Sequence, residues 1–170
     1  MSNISFVAGA GVTNVDLLYS GLPRVPNEGE ELFSKSFALM LGGGIPATLI
    51  NLRRLGVACK AQTFLGEDIF SRFAAREFER LNTPVTNLYG GNGIPLNITS
   101  AVITPNDRTF ISYSDNVPVG DKELSAVYEA SRGADIVLMA ASFLPIYADL
   151  KREGAVLVFD TGWTEGMTME

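Results

Sequence analysis

Apolar positions along the chain follow two rhythms. Residues 4–10, ISFVAGA, are a largely apolar run leading into Gly11, which predicts a short buried strand. Beyond Gly11 the rhythm does not turn helical, because Gly21, Pro23, Pro26 and Gly29 forbid a sustained helix. Residues 15–20 and 31–41 are instead predicted as extended. In the second of these, Leu32, Ser34, Ser36 and Ala38 share one face, with Phe33, Lys35, Phe37 and Leu39 on the other. A helix is predicted over residues 46–55: Leu49, Leu52 and Leu55 recur at helical spacing, Pro46 stands early and Gly56 closes the end.

Further along, VACKAQTFLG returns as a strand and EDIFSRFAAREFERL is the clearest helix. Phe70, Phe73, Ala74, Phe78 and Leu81 line one stripe of it, with charges opposite. PVTNLYG is another short strand. LNITSAVIT and RTFISYS flank the turn PND and read as a hairpin. DKELSAVYEASRG is helical, ADIVLMAA a buried strand, LPIYADLKREG a further helix and AVLVFDTG a last strand. Strands alternate with helices and are interrupted twice by extended pieces. That pattern predicts an α/β core with a parallel sheet, plus a small β excursion built from the interruptions.

Composition narrows the function. At 170 residues the chain can form one sizeable core, burying about 70% of its unfolded surface. A net charge of −6 with scattered basic residues offers no Lys/Arg stripe, which excludes nucleic acid as a partner. No run approaches the ~20 apolar residues of a membrane span, and the N-terminus lacks a signal peptide's basic and apolar regions. With Cys59 as the single cysteine an internal disulfide is ruled out, so a cytoplasmic location is expected. The sequons at Asn3 and Asn97 carry no weight without an export signal. Histidine is absent, which removes histidine-based triads and most transition-metal sites; no metal site is predicted.

Three motifs carry candidate chemistry. GAGVTN has the glycine pair of a dinucleotide fingerprint, but Asn14 stands in place of the third glycine and no helix follows. GGGIPATL places Gly42, Gly43 and Gly44 before a helix without the lysine of a Walker loop. Three glycines favour close backbone approach to a ligand over a turn that merely needs positive φ. Asn14 and Asp16 lie just past the first strand's C-terminal end, where α/β sheets bind ligands, and their spacing puts both on one face. An amide and a carboxylate together suit a polyol. An Asx-turn with a solvated carboxylate fits the same residues.

Taken in order, GAGVTNVD, LPRVPNEGEEL, GGGIPATLINLRRLG, TFLGEDIFSRF, LNITSAVITPNDRTFISYSDN and GADIVLMAASF resemble the PfkB (ribokinase-like) carbohydrate kinase family along most of the chain. The resemblance implies a ribokinase-like α/β core of residues 1–14, 42–94 and 117–170, and a β-sheet lid of residues 15–41 and 95–116. It implies a sugar substrate phosphorylated by ATP with Mg2+. Asn14 and Asp16 would be hydroxyl ligands, Gly42, Gly43 and Gly44 the backbone floor, and Asn97 and Thr99 lid contacts. Phe110 and Ser112 are further lid candidates. Homodimerisation through the lid, as in several members, is a further expectation.

The chain departs from the family in places. Where many members have a sugar-binding asparagine, Ala47 or Thr48 stands, depending on the gap chosen, and Ser142 replaces a glutamate of some relatives. The family's C-terminal G-A-G-D stretch, source of the anion hole and catalytic base, has no counterpart; in AGAGV, Val12 occupies the aspartate's place. The sequence is therefore expected to be the N-terminal portion of a longer kinase, with no catalytic residue of its own, no phosphoryl transfer alone, and an unpaired apolar sheet edge prone to aggregation. The alternatives are a non-catalytic sugar-binding module, a nucleoside kinase of the same fold, and, with the fingerprint failing, a dinucleotide oxidoreductase.

Overall fold

The computed structural model describes residues 4–160. The chain runs β1 (Val7–Ala10), β2 (Asn14–Ser20), β3 (Ser36–Gly42) and α1 (Gly44–Arg54). Next come β4 (Cys59–Thr63), α2 (Ile69–Arg80), β5 (Val85–Asn87), β6 (Asn97–Ile103) and β7 (Arg108–Tyr113). It finishes with α3 (Asp121–Ser131), β8 (Ile136–Met139), a 3-10 turn (Ala141–Phe143), α4 (Leu144–Arg152) and β9 (Val156–Phe159). Asn3, Thr161 and Gly162, the ends of two sequence readings above, lie outside the described residues.

Two sheets result. One is a parallel sheet in the order β5-β4-β1-β8-β9; the other runs β3-β2-β6-β7. In the first, β1 is central and buried at every position, because helices cover both of its faces. Ala8 and Ala10 pack with Phe64, Val127, Tyr147 and Leu150 on the α3/α4 side. Val7 faces Leu49, Ile50 and Phe78 on the α1/α2 side. Gly9 is the close-approach point: a Cβ there would stand 2.6 Å from Ile45 Cγ2, so α1 rests directly on the β1 backbone.

The helices follow their stop and start signals. Asp68 caps α2, its carboxylate accepting from the Phe70 and Ser71 amides at 2.9 Å each, and the predicted stripe buries Ala74 and Phe78. α1 starts two residues before Pro46, which therefore sits inside the first turn where its missing N–H breaks nothing. Gly56 follows the end of α1 with φ +88.

The second sheet is attached at one end. Residues 11–13 alone link β1 to β2, and Thr13, fully buried, pins that link through a 2.7 Å hydroxyl contact with Thr63. Val15, Leu41 and Ile98 at the sheet's root pack on Phe70, Phe73 and Ala74 of α2. Exposed Phe37 stands toward its far end, and exposed Ile111 midway along β7. The strand predicted over 31–41 begins only at Ser36. β2 ends at Ser20, whose carbonyl still takes the Lys35 N–H at 2.9 Å, and Gly21 turns away at φ +81, so residues 31–34 have no strand to pair with. They follow a turn held by the Arg24–Glu30 ion pair, and Phe33 is left 82% exposed.

Tyr147 ties α4 to the end of β8. Its hydroxyl accepts from the Ala140 N–H at 2.8 Å and donates to the Ala140 carbonyl at 3.2 Å. Burial pushes the phenol's pKa up. Tyr147→Phe is expected to strand the Ala140 N–H, the carbonyl keeping the Phe143 N–H at 3.0 Å, and to cost about 1–3 kcal/mol. Urea titration should give a lower midpoint at unchanged slope.

Candidate functional site

The root of the second sheet meets the C-terminal ends of β1 and β8, and three strands, β2, β6 and β7, deliver polar side chains there, with a glycine from β3. Asn14 opens β2 and sits in register with Gly42 on β3 and Asn97 on β6. Two positions along, Asp16 is level with Thr99, which is level with Ser112 on β7. Period-2 alternation puts all of these on one face, while Val15 and Ile98 point to α2.

A continuous hydrogen-bond chain joins them. The Thr99 hydroxyl donates to Asn14 Oδ1 at 3.2 Å, and the Asn14 amide donates to Asp16 Oδ1. Thr99 has one proton and spends it on Asn14, so in the 3.0 Å Thr99–Ser112 contact Ser112 is the donor. Asp16 is half-buried, and that burial raises its carboxyl above the ordinary value. Asn97 stands apart from the chain: its Oδ1 is buried with no hydrogen-bond partner.

The three glycines divide into different roles. A Cβ on Gly42 would collide with the Asp16 carboxylate. Gly43, at φ +88, would put a Cβ 2.7 Å from the Val12 carbonyl oxygen and 3.0 Å from the Asn14 nitrogen. Gly44 meets nothing within 4 Å and lines an open cleft. The protein's own packing therefore demands the first two, and the third is the one whose bareness serves open space.

That cleft holds about 650 Å³ between α1 and the ends of β1, β8 and β9, with Gly44, Thr48, Met139, Phe159 and Asp160 among its walls. A second, of about 490 Å³, lies beside it against Asn97, Ser114, Asn116, Pro118 and Ser142. Val12 borders both. Thr48 rather than Ala47 reaches the larger cleft, its hydroxyl donating to the Gly44 carbonyl at 2.8 Å. Ala47 faces a groove on the β3 side instead.

Of the residues read from the sequence, Asn14, Asp16, Gly42, Thr99 and Ser112 come together in one connected cluster. Asn97 is adjacent in register, and Gly43 and Gly44 lead from the cluster to the cleft. Phe110 lies farther along β7, level with Ala101, 53% exposed and beneath the Arg108 guanidinium at 5.5 Å. Sequence reading missed Asp160 and Asn116. Asp160 follows β9 at its C-terminal end, which is a usable signal; Asn116 takes φ +47 in a loop, which is not. Among the described residues no group of three His, Cys, Asp or Glu side chains could hold a metal ion, and no helix is long and apolar enough to cross a membrane.

No protein-family model matches the sequence, and no curated protein matches it. Solved structures do. A ribokinase from Thermotoga maritima superposes at TM-score 0.69 with 16% identity, covering 96% of this chain and 55% of that one. A ribokinase from Giardia lamblia gives TM-score 0.73 and 14% identity over 96% and 52%. The ribokinase of Arabidopsis thaliana complexed with ribose and ATP gives 0.69 and 18% over 94% and 54%. The chain thus spans about half the length of the structures it matches. Identity this low speaks to backbone architecture, and at that level the outcome is plain: a parallel α/β sheet with a second sheet set on its strand ends gives this chain the ribokinase-like fold.

Proposed function

We propose that the cluster at the root of the second sheet binds a sugar, as the substrate-binding part of an ATP-dependent carbohydrate kinase that phosphorylates a sugar hydroxyl. The observation carrying this reading is the hydrogen-bond chain Ser112–Thr99–Asn14–Asp16, which ends on a half-buried carboxylate with acceptor capacity left over. Hydrogen bonds to a charged group contribute about 1.5–3 kcal/mol each, enough to orient a polyol. The sheet carrying the cluster serves as the lid; swung over a bound sugar, it would exclude water that otherwise competes as phosphoryl acceptor.

ATP, when bound, supplies the phosphoryl group, and Mg2+ its charge neutralisation. The described residues offer no metal-ligating cluster, and of the floor glycines Gly42 and Gly43 are committed to packing against Asp16 and Val12 while Gly44 borders open space. The part of these residues is to bind and orient the accepting hydroxyl; nucleotide, metal and catalytic base are assigned to the rest of the whole protein. The exposed Phe37 and Ile111 on the lid suit a second copy of the chain, so homodimerisation through the lid belongs to the same proposal.

A thermal-shift panel of pentoses, hexoses, their phosphates and nucleosides tests the reading. A sugar should raise Tm with concentration, by linkage of about 2.7 kcal/mol at 100 times Kd. A shift with nucleosides alone would favour a nucleoside kinase. A shift with NAD alone would overturn the reading.

A further inference from the structure

We propose that Thr63, a residue of the parallel sheet that borders neither cleft, is the positioning residue that holds Asn14 and Asn97 in place for a ligand. The inference rests on the sugar-site reading above and adds to it a residue acting at one remove. It follows from what happens where β1 ends. The β1–β4 ladder runs one bond past β1, with the Gly11 N–H on the Gln62 carbonyl at 3.0 Å, and the chain then leaves the sheet. Residues 11–13 belong to no strand, yet Thr13 is fully buried, so its polar groups need partners from inside the protein.

Thr63, the last residue of β4 and itself fully buried, serves two of those groups. Its Oγ1 accepts the Thr13 N–H at 3.2 Å and lies 2.7 Å from the Thr13 hydroxyl, where either oxygen can be the donor. The third polar group, the Thr13 carbonyl, accepts the Asn97 N–H at 2.9 Å. One side chain of the parallel sheet therefore fixes the peptide leading into Asn14 and, through the same residue's carbonyl, the start of β6. Gly43 closes the other side: a Cβ there would stand 3.5 Å from the Thr13 carbonyl carbon, besides its collisions with Val12 and Asn14. The link is held between a bare glycine and a hydroxyl, and only the hydroxyl bonds are directional.

Direction matters because Asn14 and Asn97 are level with each other across β2 and β6. Asn14 accepts from Thr99 and donates to Asp16, and Asn97 borders the smaller cleft. Thr13 and Thr63 are in the walls of neither cleft, so whatever Thr63 does for binding passes through the two asparagines. Valine matches threonine in shape and lacks the hydroxyl, so Thr63→Val strands the Thr13 N–H and hydroxyl together. The link relieves that only by shifting toward other partners, and it carries Asn14 and Asn97 along.

NMR and calorimetric titration of the 170-residue chain provide the test. In Thr63→Val the side-chain amide signals of Asn14 and Asn97 are expected to move with no ligand present, while circular dichroism stays that of the parent. Affinity for D-ribose or D-fructose, whichever the parent binds, is expected to fall ~10-fold or more at a temperature where both proteins are folded. Thr63→Ser keeps the hydroxyl and is expected to restore the signals and to bring affinity within about twofold of the parent. Thr13→Val keeps its N–H on Thr63 and loses only the hydroxyl contact; it is expected to move the same signals less, and it decides the matter if Thr63→Val does not fold. Lower stability with the signals or the affinity unmoved overturns the inference, Thr63 then serving the fold alone, and leaves the sugar-site reading standing. A Thr63→Ser protein as weak in binding as Thr63→Val also overturns it, by removing the hydroxyl as the cause. Binding of neither sugar by the parent removes the sugar-site reading itself, and the inference with it.

Discussion

Gly43→Ala is expected to destabilise the protein by about 3 kcal/mol or more, the largest single-residue effect anticipated here. Gly43 caps α1 at φ 88 and ψ 139, a backbone region that side chains rarely enter. Strain is only part of the cost. The added methyl would stand 2.7 Å from the Val12 carbonyl oxygen and 3.0 Å from the Asn14 nitrogen, both main-chain atoms that cannot rotate aside. Relief would require displacing the 11–13 link, which Thr13 and Thr63 pin in the buried interior. Asn14 would move with it, so any sugar-induced rise in Tm should vanish together with stability. Gly44→Ala is the paired control: nothing lies within 4 Å, and alanine in a helix improves on glycine by roughly 0.5–1 kcal/mol. Thermal and urea unfolding of the two variants should move in opposite directions; a Gly43→Ala protein with parental Tm would refute the close packing described.

Asp16→Asn is expected to weaken sugar binding by about 1.5–3 kcal/mol while making the free protein more stable at neutral pH. The two halves share one cause. Burial raises the Asp16 carboxyl above its ordinary 3.8, so the folded state holds the proton more tightly than the unfolded one. A group shifted in that direction favours folding fully below its unfolded pKa, and that contribution is lost as pH rises through the folded value. At pH 7 the ionised acid is therefore a burden on the fold, kept for what it grips. Tm of the variant should exceed that of the parent at pH 7, and the gap should close as pH falls toward 3.8. A variant less stable than the parent at pH 7 would mean that the bond from Asn14 outweighs the burial. On the proposed kinase reading, ATP affinity of the whole protein should stay nearly unchanged; its collapse with sugar binding preserved would dismantle the role given to Asp16.

Local pattern carried much of the fold into view. The stripe of Phe70, Phe73, Ala74, Phe78 and Leu81 marked α2, and the apolar run before Gly11 marked the buried central strand, because burial on one face or both leaves a direct periodic trace. The placement of the polar pair was legible for a related reason: Asn14 and Asp16 are polar residues at alternate positions just beyond a buried strand, and the structure puts them on one connected face with Thr99 and Ser112. What local pattern could not carry was partnership. Residues 31–34 have the alternation of a strand and no neighbour to pair with, since β2 stops at Ser20. The glycine triplet looked like one device and is two, because the collisions that require Gly42 and Gly43 involve Asp16 and Val12, remote in sequence. Nor does anything near Asn97 in sequence reveal that its carbonyl oxygen goes without a donor.

The parallel pairing of β2 with β6 has a consequence in time. Thr99 and Asn14, which share a hydrogen bond, are 85 residues apart along the chain, and both α1 and α2 are made in between. Closing so wide a loop is entropically slow, and contacts of this range are won late on the way to the native state. The first α/β units should therefore consolidate before the binding face exists, and during refolding the capacity to recognise a ligand should lag behind the recovery of helical signal.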